Sequence, residues 1–129
     1  MSNELAQRAV ACKGWRWMPG MLTLEEIVPP AITLGWDPAR VLHADEGDTP
    51  RVCTIANKVR DIHDTALPDL SDPATLGCLE ALVQEAHSGA VVLTKGNGWW
   101  SVETEQSERD NDSLPSYIHG LLWALEAAP

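Results

Sequence analysis

Apolar side chains recur at helical spacing in the middle of the chain, directly after an aspartate and a proline. Asp72 has the side chain of an N-cap residue, and Pro73 has the restricted φ that suits the first helical position. The apolar positions that follow share one helical face: Leu76, Leu79, Leu82, Val83 and Ala86. The pattern predicts a helix over 73–87 with one buried face, which Gly89 is placed to end in a left-handed turn.

Two further helices are predicted near the ends of the chain. Residues 3–12 have Ser2 or Asn3 as a cap. Their apolar side consists of Leu5, Ala6, Ala9 and Val10. Ser113 and Pro115 open the second helix, which runs to Ala127. Its inner side is predicted to consist of Tyr117, Leu121, Ala124, Leu125 and Ala128.

Short segments with β-branched or aromatic residues predict strands in the first half of the chain. Trp15 and Trp17 would share one face of a strand over 15–18, before a turn at Pro19-Gly20. From 24 to 54 the pattern is irregular. Three segments there are typical of short antiparallel strands: 31–36, 40–43 and 51–55. Residues 59–64 fit either a strand or a loop.

A hairpin is predicted after the central helix. Segments 90–94 and 99–104 flank a short Gly-rich connection at 95–98. In the second strand Trp100 and Val102 alternate with Ser101 and Glu103, so one face should be buried and the other wet. The charged residues 105–112 are predicted to form a loop.

The order of these elements predicts an α+β fold, in which N-terminal, central and C-terminal helices pack on a small antiparallel sheet. The length of 129 residues predicts a single domain over 1–129. The three cysteines are odd in number and widely spaced, which favours a reducing compartment. The apolar runs are far shorter than the roughly 20 residues of a membrane-spanning helix.

Charge narrows the range of functions. The chain has 9 basic and 19 acidic residues and a net charge of -10. Binding of nucleic acid through its phosphates is disfavoured, because it depends on Lys and Arg. The acidic residues form three clusters along the chain: Asp45, Glu46 and Asp48; Asp61, Asp64, Asp69 and Asp72; and Glu103, Glu105, Glu108, Asp110 and Asp112. They are either solvated loops that keep the protein soluble or a surface for a basic partner.

No constellation of residues points to catalysis or to a cofactor. Two groups contain potential metal ligands: His43, Asp45, Glu46 and Asp48; and Asp61, His63 and Asp64. An acidic chain produces such groups by chance, so no metal site is predicted. Cys53 and Cys78 fit packing positions, His87 and His119 fall on helices, and 95–98 lacks the pattern of a phosphate loop. The prediction is a protein that is not an enzyme and has no cofactor.

Six tryptophans and no phenylalanine occur in the chain. Trp17, Trp100 and Trp123 fit core positions, whereas Trp36 and Trp99 are harder to bury. Exposed indoles are frequent at the centres of protein interfaces. The predicted partner-binding residues are therefore the two exposed tryptophans and the third acidic cluster: Trp36, Trp99, Glu103, Glu105, Glu108, Asp110 and Asp112.

The layout resembles small phage and prophage proteins of the phage α-β-α sandwich type, most of them uncharacterised. The resemblance depends on 15–21 after an N-terminal helix, on the helix start at 67–79, on a valine-rich hairpin with Trp100, and on a closing helix that ends in Glu126-Ala127-Ala128. It covers roughly half of the chain and assigns no catalytic residues. It implies a viral or prophage origin and a cytoplasmic location in an infected or lysogenic bacterium.

The leading hypothesis is a small interaction protein that binds a host or defence-system protein through an acidic surface. Mimicry of nucleic acid, as in an anti-CRISPR inhibitor, is one form of it. The first alternative is a small-ligand binder, such as a sponge for a nucleotide signal, which would use indole stacking with Arg16, Lys58, Arg60 and Lys95. The second is a structural accessory protein. Direct nucleic-acid or membrane binding is not expected, and a homodimer is compatible with the sequence.

Overall fold

The computed structural model of the chain describes residues 4–26, 36–42, 49–63 and 65–129. The helices are α1 (Glu4–Ala11), α2 (Pro73–Ala86) and α3 (Tyr117–Glu126). The strands of a first sheet are β1 (Leu22–Glu26), β2 (Trp36–Val41), β3 (Arg51–Thr54), β4 (Val59–Asp61) and β5 (Leu67–Pro68). Those of a second are β6 (Val92–Gly96), β7 (Trp99–Glu103) and β8 (Glu108–Asp110). The predicted α+β class is confirmed.

The antiparallel strands divide between two small sheets. The first has the order β4-β3-β2-β1-β5 and the second the order β6-β7-β8. The chain forms two compact units, one of residues up to Arg16 together with Leu79–Pro129, and one of Trp17–Cys78. Among the described residues no helix has the length and apolar character needed to cross a membrane.

Helix α2 begins as predicted. The Asp72 carboxylate accepts a hydrogen bond from the Thr75 N–H at 3.1 Å and binds Arg40 through both oxygens, at 2.6 and 2.9 Å. The hydrogen bonds from the Arg40 guanidinium lower the pKa of this carboxyl to about 2. The buried Thr75 hydroxyl accepts the Leu22 N–H at 2.8 Å, which ties the start of β1 to the first turn of α2.

The end of α2 also agrees with the prediction. Gly89 has a φ of +80°, and its N–H donates to the Gln84 carbonyl at 2.7 Å. The preceding residue, Ser88, is left-handed as well, with a φ of +53°, and its N–H donates to the Glu85 carbonyl at 3.1 Å. These two bonds form a Schellman motif, which satisfies the last carbonyls of the helix.

The predicted strand over 15–18 is wrong. Residues 15–18 pair with none of the described strands, and the first strand starts at Leu22, after the Pro19-Gly20 turn. Gly20 has a φ of +94°, and its N–H donates to the Val41 carbonyl at 2.8 Å, just before β1 begins. Alternating tryptophans do not make a strand where no neighbouring strand completes the ladder.

The remaining strand predictions of the first half have mixed outcomes. Strand β3 lies at Arg51–Thr54, and β4 settles the ambiguous segment as a strand at Val59–Asp61. The predicted segments 31–36 and 40–43 lie partly outside the described residues. Trp36 and Arg40 belong to one strand, β2, which pairs with β1 and β3.

Helix α3 covers the buried side of the second sheet. Leu121, Leu122 and Leu125 are buried, and Gly120 lies so close to Trp100 that a Cβ there would collide with the indole ring. Ser116, rather than Ser113, is the N-cap, since its side chain accepts the His119 N–H. Arg8 of α1 donates to the Glu126 carboxylate of α3 at 2.6 Å.

Candidate functional site

One face of the β6-β7-β8 sheet carries most of the predicted partner-binding residues. Side chains alternate between the two faces of a strand, so the register decides which residues share a face. Three rows cross the strands: Gly96 with Trp99; Thr94 with Ser101 and Asp110; and Val92 with Glu103 and Glu108. We call these residues together the open face.

The opposite face of the sheet is packed. Trp100 and Val102 of β7 are buried. Arg109 of β8 lies over the Trp123 ring, with its guanidinium carbon 4.5 Å from the ring centroid. Lys95 of β6 lies over the ring of Tyr117, with its Nζ 4.9 Å from the centroid and 3.6 Å from a Glu80 oxygen.

Lys95 and Arg109, the basic residues of these three strands, therefore belong to the packed face. None of the open-face positions, all of them described, is Lys or Arg. The open face thus combines an aromatic and an aliphatic side chain with carboxylates, and none of its own residues is a Lys or Arg that would neutralise them.

Trp99 is exposed, as predicted. The residue is 49% exposed, and a Cβ at Gly96 would collide with the indole Nε1 and Cε2. The indole therefore lies against the Gly96 backbone, across the strand pair. An aromatic ring that covers a cross-strand glycine in this way is held in one orientation while one ring face stays accessible.

The predicted loop over 105–112 is wrong at its centre, because Glu108–Asp110 forms strand β8. The Thr104 N–H donates to the Ser107 carbonyl at 2.8 Å, and the Thr104 hydroxyl accepts the Gln106 and Ser107 N–H groups at 3.3 and 3.2 Å. This polar turn brings Glu108 directly opposite Glu103. Two like charges face each other there despite their repulsion.

The other acidic residues of the cluster have different positions. The Asp110 carboxylate lies in the open face but accepts the N–H groups of Asp112 and Ser113 at 3.0 and 3.1 Å, so it also shapes the turn after β8. Glu105 lies in the β7–β8 turn and Asp112 in the turn after β8, both exposed.

Trp36 is not one of the open-face residues. It begins β2, opposite Glu26, and belongs to the unit of Trp17–Cys78, whereas Trp99 belongs to the other unit. The Trp36 side chain lies outside the described part of the structure. Its role as a contact residue stays a prediction.

The sequence interpretation missed Val92 and Gly96. Val92 is 57% exposed, in the same row as Glu103 and Glu108. The signal for both residues was the Asn97-Gly98 pair, which forms a two-residue turn with Gly98 at a φ of +76°. That turn sets the register and extends β6 to Gly96, beyond the predicted end at 94.

Other potential chemistry is not assembled in the described part of the chain. No group of three or more His, Cys, Asp or Glu residues is placed there to hold a metal ion. His43, Asp45, Glu46, Asp48 and Asp64 lie outside it. Burial raises the pKa of the Cys12 and Cys78 thiols, which disfavours the reactive thiolate. The Ser116 hydroxyl is 2.7 Å from His119 Nδ1, a contact that the N-cap geometry explains.

The basic residues of the ligand-binding alternative divide between the two compact units. Arg16 is paired with Glu85, and Lys95 lies beside Glu80. Lys58, in the β3–β4 connection, and Arg60, in β4, belong to the other unit. A groove of about 690 Å³ near the end of α2 contains Arg109, but its guanidinium already covers Trp123.

Searches against protein-family models, curated proteins and solved structures found no match to this chain.

Proposed function

We propose that this protein is a protein-interaction module whose open face binds a basic surface of a partner protein. One observation supports it above all: the open face combines the accessible Trp99 indole with Glu103, Glu108 and Asp110. Indole provides a large apolar contact, and the carboxylates select and orient cations.

The opposed glutamates support the same proposal on energetic grounds. Like charges directly across an antiparallel pair are destabilising, and exposed charge pairs have a scale of roughly 0.2–1 kcal/mol. Glu103 and Glu108 are both exposed. A partner cation placed between them would turn this repulsion into two attractions. The arrangement is unfavourable for the free protein and favourable for a complex.

The specific form that we propose is inhibition of a nucleic-acid-handling protein of a bacterial host or of its defence systems. The open face would occupy a channel lined with Lys and Arg and compete there with DNA or RNA. The net charge of -10 supports it, because long-range attraction to a basic channel accelerates association at low salt.

The proposal is tested first by retention of partners from bacterial lysate on the tagged protein, at low and at physiological salt, with identification by mass spectrometry. The purified partner is then titrated with the natural protein and with Glu103→Gln/Glu108→Gln. We expect this variant to bind at least tenfold more weakly and to show a shallower salt dependence.

A matched control separates the open face from overall charge. Asp61→Asn/Glu85→Gln also removes two negative charges, from exposed side chains outside the open face. Equal losses in the two double variants would contradict recognition by the open face. Retention of no protein partner at either salt concentration, together with stabilisation by a nucleotide, would favour the ligand-binding alternative instead.

A further inference from the structure

Along the outer edge of β6, the described part of the chain leaves backbone groups without a hydrogen-bond partner. In an antiparallel ladder, alternate residues of a middle strand bond to the two neighbours. The Thr104 N–H bonds to the Ser107 carbonyl, so the even-numbered residues of β7 bond towards β8 and the odd-numbered ones towards β6. The N–H and C=O groups of Leu93 and Lys95 therefore point away from the sheet, and no hydrogen bond among the described residues involves them.

On the outer edge of β8, in contrast, three of the four outward backbone groups of Glu108 and Asp110 are engaged by side chains and by the following turn. The Glu108 carbonyl accepts a hydrogen bond from Arg109 Nη1 at 2.9 Å. The Asp110 N–H donates to Ser113 Oγ at 2.8 Å, and its carbonyl accepts the N–H groups of Ser113 and Leu114 at 3.0 and 3.1 Å. Since proteins commonly protect edge strands, this contrast between the two edges within the described residues marks β6 as the side available for pairing.

We propose that an extended, basic segment of the partner adds to the sheet as a fourth strand beside β6. The inference rests on the proposed function and names the structure that the partner presents. Backbone bonds to Leu93 and Lys95 would supply affinity, and alternate side chains would supply specificity, as in other complexes formed by strand addition.

The open face defines which side chains the added strand needs. The residue beside Gly96 would meet the accessible face of the Trp99 indole, where Lys or Arg gains a cation–π interaction. The residue beside Val92 would lay an aliphatic stem on that exposed side chain and direct its charge towards Glu103, the next residue in the row. Gly96 and Val92 are four residues apart, so the added strand is expected to have basic residues at positions i and i+4.

Charge argues against a second copy of this chain as the added strand. Each copy has a net charge of -10, and pairing of two β6 edges would join two acidic open faces in one sheet. A basic segment of another protein has the complementary charge.

The first experiment uses the natural protein and a synthetic peptide, Lys-Val-Lys-Thr-Lys-Val-Lys with blocked ends, followed by NMR hydrogen exchange. We expect the amide protons of Leu93 and Lys95 to exchange at least tenfold more slowly in the complex. Two further peptides have N-methyl groups at alternate residues. In one peptide the methyl groups lie along one edge of the extended chain, and in the other they lie along the opposite edge. Both keep every charge, and we expect one to bind as the parent does and the other to lose binding.

The second experiment changes the edge of β6 itself. Proline is tolerated in an edge strand where its missing N–H faces away from the sheet. We expect Lys95→Pro to bind the peptide at least tenfold more weakly than Lys95→Thr, which loses the same ammonium group but keeps the N–H. Circular dichroism checks the fold, and if the proline variant does not fold, hydrogen exchange and the methylated peptides decide.

The outcomes separate this inference from the proposed function. Unchanged exchange of Leu93 and Lys95 in the complex, with equal binding of both methylated peptides, would overturn strand addition. If Glu103→Gln/Glu108→Gln still weakened partner binding, recognition by the open face would stand without strand addition. If neither the changes at the β6 edge nor the replacement of the carboxylates affected binding, both strand addition and recognition by the open face would be contradicted.

Discussion

At the residue scale, Asp72 combines three interactions at the start of α2. Its carboxylate accepts the Thr75 N–H and the Thr75 hydroxyl, and it forms a two-oxygen pair with Arg40. The pair joins β2 to the first turn of α2. The sequence predicted the cap from Asp72-Pro73, but the pairing with Arg40 needs the β1–β2 register, which no local pattern contains.

Asp72 should make stability depend on pH in the acidic range. Its pKa is about 2 in the folded protein, compared with 3.8 for an unperturbed aspartate carboxyl, so folding favours the ionised form. This contribution is complete above about pH 4 and is lost as the pH falls through about 2. We expect Asp72→Asn to lower the free energy of unfolding at pH 7 by on the order of 1 kcal/mol. This value is smaller than the pKa shift alone would give, because solvent around the exposed Arg40 side chain screens the ion pair.

Urea unfolding between pH 2 and pH 7 measures this effect. The difference between the natural protein and Asp72→Asn should shrink towards pH 2. Asp61→Asn is the control, because Asp61 is largely exposed and its contact with Arg51 is 3.7 Å long. A constant difference across the pH range would contradict the assigned role of the ion pair.

At the element scale, the second sheet exposes two opposed carboxylates whose repulsion lowers the stability of the sheet. Glu103 and Glu108 face each other in the row that ends at Val92. The rest of the sheet follows ordinary pairing, with Trp100 and Val102 buried on the other side. A surface selected only for stability would have opposite charges or β-branched residues in this row.

Replacement of one glutamate should therefore stabilise the free protein. We expect Glu108→Gln to raise the free energy of unfolding by roughly 0.2–1 kcal/mol, the scale of an exposed charge pair, because it removes the cross-strand repulsion. Thermal and urea unfolding at low salt measure the change.

Glu105→Gln is the matched control for this prediction. Glu105 lies in the β7–β8 turn and has no partner in the strand register, so a smaller change is expected. Destabilisation by Glu108→Gln would show that Glu108 has a structural role instead.

At the scale of the whole molecule, the excess of acidic residues should make stability depend on salt. The chain has 19 acidic against 9 basic residues, and some of the basic residues are already in ion pairs such as Arg8–Glu126. Screening weakens those pairs, but an exposed pair contributes little, so the relief of general repulsion should dominate.

We expect the melting temperature to rise by a few degrees between about 10 mM and 300 mM NaCl, which corresponds to roughly 1 kcal/mol for a chain of this size. The rise should be smaller in Glu103→Gln/Glu108→Gln, which removes two charges from the third acidic cluster. A fall in melting temperature with salt would indicate that specific ion pairs outweigh general repulsion.

The sequence by itself determined the features that depend on neighbouring residues. The Asp72-Pro73 start, the apolar stripe and the left-handed end of α2 are all local, and so is the burial alternation of Trp100 and Val102. The α+β class follows from the order of such elements. The same local reasoning predicted that Trp99 lies on the wet face.

Tertiary structure alone decided which residues meet across strands. A strand at 15–18 was predicted from tryptophan spacing, yet no described strand pairs with it. Strand β8 arose in a segment predicted to be a loop, because the Thr104 turn returns the chain to β7. Strand formation depends on a partner that is distant in sequence, whereas helix formation depends on residues three and four apart. The open face exists only through that long-range register.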